Sequence, residues 1–304
     1  MGLVTDTGKV DDKSFNQSAW EGLQDAAAED DRLRIEFIET IALADYPNNI
    51  GSFIDRDADM IVTVGFGMGE ATNIAASENL EIAFIGVDQF QNELRENVTG
   101  LVFNEDKAGF MAGALAGLMT KSNTVGAVLG TPMVPPVVAF KEGFENGARY
   151  VNPEVNLIST YHPGGLNTAF DDLAWGADTA RQTMNHGADV IFGAGGTTGS
   201  GALIEVATED GALCIGVETD QWETLPGAQP CLISSAMKLI DKGVKELVLK
   251  GVNGSLPAGN FFGEVGLASY HDLEDDVPSD IKDLVNTISA EVVSGAIDTG
   301  YSGG

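Results

Sequence analysis

Short runs of apolar residues alternate with longer amphipathic stretches along almost the whole chain. Four runs are apolar with hardly a break: MIVTVG (60–65), IAFIGV (82–87), AVLG (127–130) and VIFGAG (190–195). Strands buried on both faces of a parallel sheet have this composition, because neither face meets water. The pattern predicts strands at Gly2–Thr5, Arg34–Glu39, Met60–Gly65, Ile82–Val87, Thr99–Phe103, Thr124–Leu129, Val155–Tyr161, Val190–Gly193, Leu213–Val217 and Leu232–Ser234.

Helical stretches lie between most of these strands. The clearest are Ser14–Ala28, Lys107–Met119, Val137–Tyr150, Asp171–His186 and Ile240–Lys250. Strands that alternate with helices in this way predict doubly wound sheets. At roughly 100–200 residues per domain, a chain of 304 residues suggests two domains. We therefore predict an α/β fold of two lobes, each a doubly wound parallel sheet.

Polar or glycine-rich turns follow the strands in both halves of the chain, as in VTDTGK and GVDQ early and GAGGTTGSG and GVETDQ late. Doubly wound sheets bind ligands outside the carboxyl ends of their strands. We therefore expect a ligand cleft between two lobes that present these ends to one another. The N-terminal lobe is placed at 1–104 plus 236–264 and the C-terminal lobe at 105–235 plus 265–304, joined by short crossings.

Acidic residues greatly outnumber basic ones: 46 Asp and Glu against 16 Lys and Arg give a net charge of −30. So acidic a chain offers no basic surface to neutralise phosphates, which argues against nucleic acid as a partner. The acids are spread along the chain, and at about 1 M salt, where the Debye length is about 3 Å, their mutual repulsion is largely screened. We interpret this composition as halophilic; an ordinary acidic mesophilic protein is the alternative.

The cysteines and the apolar runs bear on the compartment. Cys214 and Cys231 both lie in strand-like runs, so we expect buried free thiols, with a disulfide as the alternative. The longest apolar run, Phe110–Met119, is shorter than the ~20 residues that cross a bilayer. No signal peptide is visible, so either the protein is intracellular or a leader has been removed.

Signatures of catalysis and metal binding are absent from the sequence. The three histidines, His162, His186 and His271, show no metal spacing, and neither a G-x-S-x-G elbow nor a Walker A motif occurs. GAGGTTG (193–199) approaches a dinucleotide-binding loop, but Thr198 occupies the position of the third glycine. We therefore expect a protein that is not an enzyme and uses no metal and no cofactor.

The polar turn after the first strand contains one aromatic residue, Phe15, where a helix should begin. Ser14 followed three residues later by Gln17 is a capping-box pattern that makes Ser14 the N-cap. Phe15 is then either a core residue beside the cap or a flat apolar face presented to a ligand. The residues alone leave both interpretations open.

The stretch VTDTGKVDDKSFNQSAWEGL (4–23) resembles the first motif of the basic membrane protein family, substrate-binding lipoproteins of ABC transporters typified by purine nucleoside receptors. The resemblance implies the type I periplasmic binding protein fold and the capture of a nucleoside, with purines preferred, for delivery to a permease. The likeness continues at ADYPNNI (44–50), DMIVTVGFGM (59–68), FIGVD (84–88), FNEDKAGFMAGALAGLMTKSNTVGAVLG (103–130), FKEGFENGARYVNP (140–153), GADVIFGAGGTTGSG (187–201), IGVETDQ (215–221) and SSAMK (234–238).

The resemblance assigns the aromatic residues that would enclose the base. Phe15 matches the aromatic on one face, and Phe170 falls where a second aromatic covers the other. The spacing around Phe170 departs from the family's G-x-F-x-D pattern, so Trp175 or Phe192 remains an alternative for the second face.

The same resemblance assigns the polar residues of the site. Asp6 and Ser14 match groups near the base, and Asp88 and Asp220 match carboxylates that accept ribose hydroxyls; as sequence features alone, both acids also fit solvated turns. The remaining ligand-binding candidates are Gly195, Gly196 and Lys238.

Kinship also implies partners and a location. We expect a monomer that works with ABC permease subunits on the extracellular face of the membrane, lipid-anchored in the native precursor, although neither a leader nor a lipid-bearing cysteine is present in this sequence. Three other functions remain open. They are a sugar receptor of the same fold, a ligand-sensing domain and a nucleoside-processing enzyme.

Overall fold

A computed structural model describes residues 1–303 and separates them into two compact units. The first unit comprises Met1–Phe103 and Leu239–Glu264, and the second comprises Asn104–Lys238 and 265–303. Each unit is a parallel-dominated sheet flanked by helices.

Elements are numbered along the chain. The strands are β1 Gly2–Thr7, β2 Glu36–Thr40, β3 Met60–Val64, β4 Ala83–Val87, β5 Val98–Val102, β6 Thr124–Leu129, β7 Asn156–Tyr161, β8 Val190–Ala194, β9 Leu213–Glu218, β10 Leu232–Lys238, β11 Gly259–Phe262 and β12 Val265–Leu267. The α-helices are α1 Phe15–Glu29, α2 Tyr46–Ile54, α3 Gly69–Glu78, α4 Glu105–Met119, α5 Pro135–Val151, α6 Leu173–Asn185, α7 Gly196–Val206, α8 Gln221–Thr224, α9 Ile240–Val252 and α10 Ser279–Ser294.

The sheet of the first unit has the strand order β11-β5-β4-β3-β1-β2, and all its pairings are parallel. The central strand β3 is buried along its whole length, as its almost entirely apolar sequence predicts. Because the strands run parallel, β1, β3 and β4 bring their carboxyl ends to one edge of the sheet, and the polar turns that follow them are gathered there.

The sheet of the second unit has the order β12-β10-β9-β8-β6-β7. Its pairings are parallel except for the last, in which β12 runs antiparallel to β10. The two sheets therefore confirm the predicted α/β class with doubly wound lobes. The final crossing of the chain supplies one edge strand to each sheet, β11 and then β12.

Glycines hold α4 and α5 unusually close together. A Cβ built on Gly113 would lie 1.9 Å from the carbonyl oxygen of Phe144, and one on Gly147 would lie 2.0 Å from that of Phe110. Contacts under about 3 Å are not tolerated, so only hydrogen can occupy these positions. This pair of helices thus packs backbone against backbone beside the second sheet.

The two cysteines form a disulfide, so the expectation of free thiols is wrong. Cys214 lies in β9 and Cys231 immediately precedes β10; their Cα atoms are 5.2 Å apart. Sequence alone places both residues in buried runs but does not show that β9 and β10 are neighbours in the sheet. Both sulfurs are buried, and the bridge ties together the amino ends of the two strands.

No helix among the described residues is long and apolar enough to span a membrane. This agrees with the length of the longest apolar run in the sequence.

Candidate functional site

Asp6 lies at the carboxyl end of β1, on the edge of the first sheet where ligands are expected. The Tyr46 hydroxyl and the Thr7 backbone N–H both donate to Asp6 Oδ1, the latter over 2.7 Å. The Asp6 backbone N–H donates to Asn16 Oδ1 over 3.0 Å. The Asp6 carboxylate is therefore held in one orientation by donors from α2 and from β1 itself, while Asn16 of α1 holds the Asp6 backbone.

Burial raises the pKa of the Asp6 carboxyl, and the nearby Asp88 carboxylate adds to this effect. The hydrogen bonds from Tyr46 and Thr7 act in the opposite direction. The structure thus brings Asp6 and Asp88, two of the predicted site residues, close enough to interact electrostatically.

Asp88 follows β4 directly and has a φ of 59°, in the left-handed region. Non-glycine residues take this conformation at a cost and are concentrated at functional sites. The next residue, Gln89, turns back under the strand ends, and its Nε2 donates to the carbonyl oxygens of Thr63 and Gly65. This buried amide fixes the turn that carries Asp88.

Helix α1 is capped by Asp12, and the predicted capping box is wrong. The Asp12 carboxylate accepts the backbone N–H groups of Ser14, Asn16 and Gln17 at 2.9, 2.9 and 3.1 Å. The Ser14 side chain makes no capping hydrogen bond. A carboxylate three residues before the first residue of the helix can reach N–H groups that a Ser hydroxyl would otherwise cap, and it interacts more strongly with the helix dipole.

This capping arrangement leaves the Ser14 hydroxyl available. Ser14 is fully buried, and its Oγ has no hydrogen-bond partner among the described residues. Phe15 is the first residue of α1 and is only partly buried. The start of α1 thus presents a buried hydroxyl and an aromatic ring beside the end of β1.

Phe170 lies at the carboxyl edge of the second sheet. A Cβ on Gly130, just beyond β6, would meet the Phe170 ring at 2.3 Å, and one on Gly196 would meet its carbonyl oxygen at 3.0 Å. Gly196 begins α7 with a φ of 56°, and a Cβ on Gly195 would lie 2.8 Å from the Gly130 nitrogen. The structure therefore brings Phe170, Gly195 and Gly196 together.

The loop that carries Phe170 is anchored by polar contacts at both ends. The Nδ1 atom of His162 accepts the Gly164 N–H at 2.9 Å, and its Nε2 lies 3.4 Å from Asp172. Asp172 caps α6, and its own N–H donates to Thr198 Oγ1 over 2.9 Å. The Trp175 N–H that Asp172 accepts lowers the pKa of this carboxyl.

The two alternatives to Phe170 have structural roles. Phe192 is fully buried and stacks on Phe144 with ring centroids 5.0 Å apart, so it is a core residue. Trp175 packs edge-on against His162 at 4.5 Å. The core position of Phe192 argues against it as the second aromatic, and the assignment of Phe170 stays a prediction.

Lys238 ends β10 with its side chain fully buried. Its Nζ lies 3.4 Å from Glu105 Oε1 and 3.3 Å from Glu218 Oε2, and 5.7 Å from the centroid of the Phe140 ring. Burial of a lysine is tolerated only where carboxylates compensate its charge. We call Glu105, Glu218 and Lys238 the buried charge cluster.

Glu218 is a site candidate that the sequence analysis missed. It ends β9 with a φ of 71°, just as Asp88, with a φ of 59°, follows β4. Gln221 then accepts the Val217 N–H at 2.9 Å, as Gln89 turns back in the first unit. The repeated IGV before an acid in FIGVD and IGVE was the signal available.

Asp220 lies two residues beyond this position, where its carboxylate has two partners. Oδ1 accepts the Trp222 N–H at 3.3 Å and so caps α8, and Oδ2 lies 2.7 Å from His271 Nε2. His271 also stacks on Trp222, with ring centroids 4.5 Å apart. Asp220 is thus held at the same edge by a cap and a histidine.

In both units, acidic, aromatic and glycine residues are gathered at the carboxyl edge of a parallel sheet. That fold and arrangement define the class of two-unit α/β proteins that bind small ligands. The family model for PnrA-like ABC transporter substrate-binding proteins, Bmp, matches residues 2–265. The chain therefore belongs to the Bmp family, which confirms the resemblance found in its motifs.

Similar proteins support this assignment over nearly the full chain. The "ABC transporter nucleoside-binding protein BmpA" of Lactococcus lactis is 27% identical and aligns with 97% of this chain and 87% of its own. "Basic membrane protein D" of Borreliella burgdorferi is 29% identical over 99% and 87% of the two chains. The structure of an ABC transporter solute-binding protein from Aeropyrum pernix has a TM-score of 0.85 at 24% identity, covering 98% of this chain and 92% of that one.

Proposed function

We propose that this substrate-binding protein captures a nucleoside, with purines preferred, and delivers it to an ABC permease after hinge closure. The observation that carries the proposal is the presence of an aromatic ring and carboxylates at the ligand-binding edge of each sheet. The name of the Lactococcus relative, a nucleoside-binding protein, supports the same ligand class.

In this proposal the aromatic rings of Phe15 and Phe170 stack on the two faces of the base. Ser14 Oγ and Asp6 offer polar groups to the edge of the base. Gly195 and Gly196 lie close to Gly130 and Phe170, where a side chain would collide, so these glycines allow Phe170 to take its place at this edge.

In this proposal, carboxylates bind the ribose by accepting hydrogen bonds from its hydroxyls. Asp88 and Asp220 accept ribose hydroxyls, and we add Glu218 because its backbone matches that of Asp88. Lys238 is fully buried, so its contribution is to hold Glu218 and balance its charge. Asp220 retains acceptor capacity, since a carboxylate accepts about four hydrogen bonds.

The free energy of these contacts is of the size that nucleoside binding requires. Stacking contributes about 1–3 kcal/mol per ring and a hydrogen bond to a charged acceptor about 1.5–3 kcal/mol. Two of each give a gross of about 5–12 kcal/mol, from which ordering costs are subtracted. Micromolar to nanomolar affinity corresponds to about 8–12 kcal/mol, so the fixed orientation of Asp6 and the capped, ordered start of α1 matter.

The charge at each edge favours an uncharged ligand. Asp6 and Asp88 lie together in the first unit, and the buried charge cluster has two carboxylates against one ammonium. A phosphate about 5 Å from an uncompensated carboxylate is repelled by about 3 kcal/mol at an effective dielectric constant of 20. A nucleoside should therefore bind in preference to its monophosphate.

Calorimetric titration with guanosine, adenosine, cytidine, ribose and GMP in high salt tests the proposal. We expect the purine nucleosides to bind tightest and GMP at least about a hundredfold more weakly. Phe15→Ala should weaken binding at least about tenfold. Phe37→Ala is the matched control, since Phe37 is the second residue of β2 and lies near its amino end, away from the ligand edge. Tight binding of ribose alone would instead indicate a sugar receptor, and preference for GMP would overturn the charge argument.

We further propose that the protein acts as a monomer on the extracytoplasmic side of the membrane, lipid-anchored in its precursor, and that it is adapted to high salt. The disulfide supports this location, because structural disulfides persist in oxidising compartments. The net charge of −30 supports the salt adaptation. Raising KCl should increase the melting temperature; a melting temperature independent of salt would refute that adaptation.

A further inference from the structure

Tyr46 is a buried residue that none of the ligand-binding assignments includes. It is the first residue of α2, and only 3% of its surface is exposed. Its hydroxyl donates a hydrogen bond to Asp6 Oδ1, an atom that also accepts the Thr7 N–H. Both ordinary acceptor directions of Oδ1 are therefore occupied by the protein.

The other carboxylate oxygen, Oδ2, is placed by this arrangement against Gly65. A Cβ on Gly65 would lie 2.1 Å from Oδ2, and the φ of Gly65 is 107°, so no side chain competes for that space. The two carboxylate oxygens of Asp6 thus have different surroundings. Oδ1 faces the protein's own donors, and Oδ2 lies at the glycine-lined end of β3.

We propose that Tyr46 is a positioning residue, which orients the Asp6 carboxylate and keeps it ionised so that Oδ2 can accept a hydrogen bond from the ligand. This inference rests on the proposed function, because it assigns Tyr46 to the same site. Tyr46 would affect ligand specificity without touching the nucleoside, because it acts through Asp6.

The groups around Asp6 determine how the loss of the Tyr46 hydroxyl would change the pKa of Asp6. Burial is the main cause that raises the pKa of Asp6, and Asp88, at the end of β4, raises it further. From α2, the Tyr46 hydroxyl lowers it, as does the Thr7 N–H within β1; the group facing Asp6 from α1 is the uncharged amide of Asn16. Burial and Asp6 itself raise the pKa of Tyr46, so its hydroxyl remains a donor. Loss of that donor leaves Asp6 easier to protonate.

A double-mutant cycle separates positioning from a merely structural effect. We expect Tyr46→Phe to weaken guanosine binding about tenfold, the effect of losing one hydrogen bond to a charged group. In an Asp6→Asn background the same change should alter affinity less than about twofold. Tyr150→Phe, a change at an exposed tyrosine of α5, is the control. Equal losses in both backgrounds would overturn the inference.

The pH profile gives a second readout. As pH falls, binding should weaken when Asp6 becomes protonated, and in Tyr46→Phe this decline should begin at higher pH than in the wild type. Asp6→Asn should lack that part of the profile. A parallel displacement of the Tyr46→Phe curve, with no change in its pH dependence, would show that the variant perturbs only the fold.

One measurement without ligand keeps this inference separate from the nucleoside proposal. The Asp6 carboxyl can be titrated by 13C NMR, and its midpoint should be higher in Tyr46→Phe than in the wild type, with matching circular dichroism confirming that the variant is folded. If guanosine does not bind but this shift is seen, the nucleoside assignment fails while the coupling is retained. An unchanged midpoint overturns the inference whatever ligand binds.

Discussion

Replacing Lys238 by Met removes the only cation from the buried charge cluster while keeping the length of the side chain. The Nζ atom lies 3.4 and 3.3 Å from the Glu105 and Glu218 carboxylates, and none of the Lys238 side chain is exposed. The substitution therefore leaves two carboxylates in the interior without the ammonium that compensates them.

The expected loss can be estimated from those distances. At an effective dielectric constant of 20, opposite unit charges about 3.4 Å apart attract by about 5 kcal/mol. Two such attractions are partly offset by the cost of burying the ammonium and by repulsion between the two carboxylates. Measured cases in which one partner of a buried ion pair is removed lose about 3–5 kcal/mol. We expect a loss in this range, out of a total stability of about 5–15 kcal/mol.

Urea unfolding at neutral pH, followed by circular dichroism, measures this loss. Lys245→Met is the matched control, because Lys245 pairs with Glu29 over 3.0 Å on the surface, where such pairs contribute about 0–1 kcal/mol. The deficit of Lys238→Met should shrink as pH is lowered, since protonated carboxyls cost less to bury. A deficit no larger than that of Lys245→Met, or one independent of pH, would refute the reasoning.

Three further predictions concern the fold. Gly113→Ala should destabilise the protein by about 3 kcal/mol or more, because its Cβ would overlap the backbone of α5, whereas Gly51→Ala in open space should stabilise by up to about 1 kcal/mol; similar melting temperatures would refute this. Replacing Cys214 and Cys231 by Ala should cost about 3 kcal/mol, as expected for a loop of their separation, 17 residues, and an unchanged urea midpoint would contradict it. Burial raises the pKa of Asp12 from 3.8 to about 6. The protonated Asp12 therefore makes its full contribution to the free energy of unfolding below pH 3.8, and this contribution is lost as pH rises through about 6. Asp12→Asn should therefore gain stability relative to the wild type over that interval, and parallel pH–stability curves would exclude the effect.

The alternation of apolar runs and helices was sufficient to predict the two sheets, because buried parallel strands carry a strong continuous signal. The edge strands β11 and β12 were missed for the opposite reason. They have only four and three residues, which are mostly not fully buried. Helix α10 was also missed, since its buried residues Val285, Ile288 and Val292 are set among exposed polar ones.

The sequence was sufficient to place Phe15 at the start of a helix and Asp88 at the end of a strand, because each lies next to a clear boundary. Their ligand-binding roles stay predictions. Glu218 was not identified, although the IGV shared by FIGVD and IGVE was a weak signal for it, because the matching backbone conformation of Glu218 and Asp88 is seen only in the structure. The capping role of Asp12 was assigned to Ser14 for a similar reason: several side chains before a helix can reach the same N–H groups.

The central proposal is that the nucleoside binds at the carboxyl edges of the two parallel-dominated sheets, with its base against Phe15. A crystal structure of the protein grown with guanosine in high salt tests it most directly. The account predicts the purine in contact with the Phe15 ring and the ribose hydroxyls within hydrogen-bonding distance of Asp88. Electron density for guanosine away from both edges, or a Phe15 ring that does not touch the base, would contradict it.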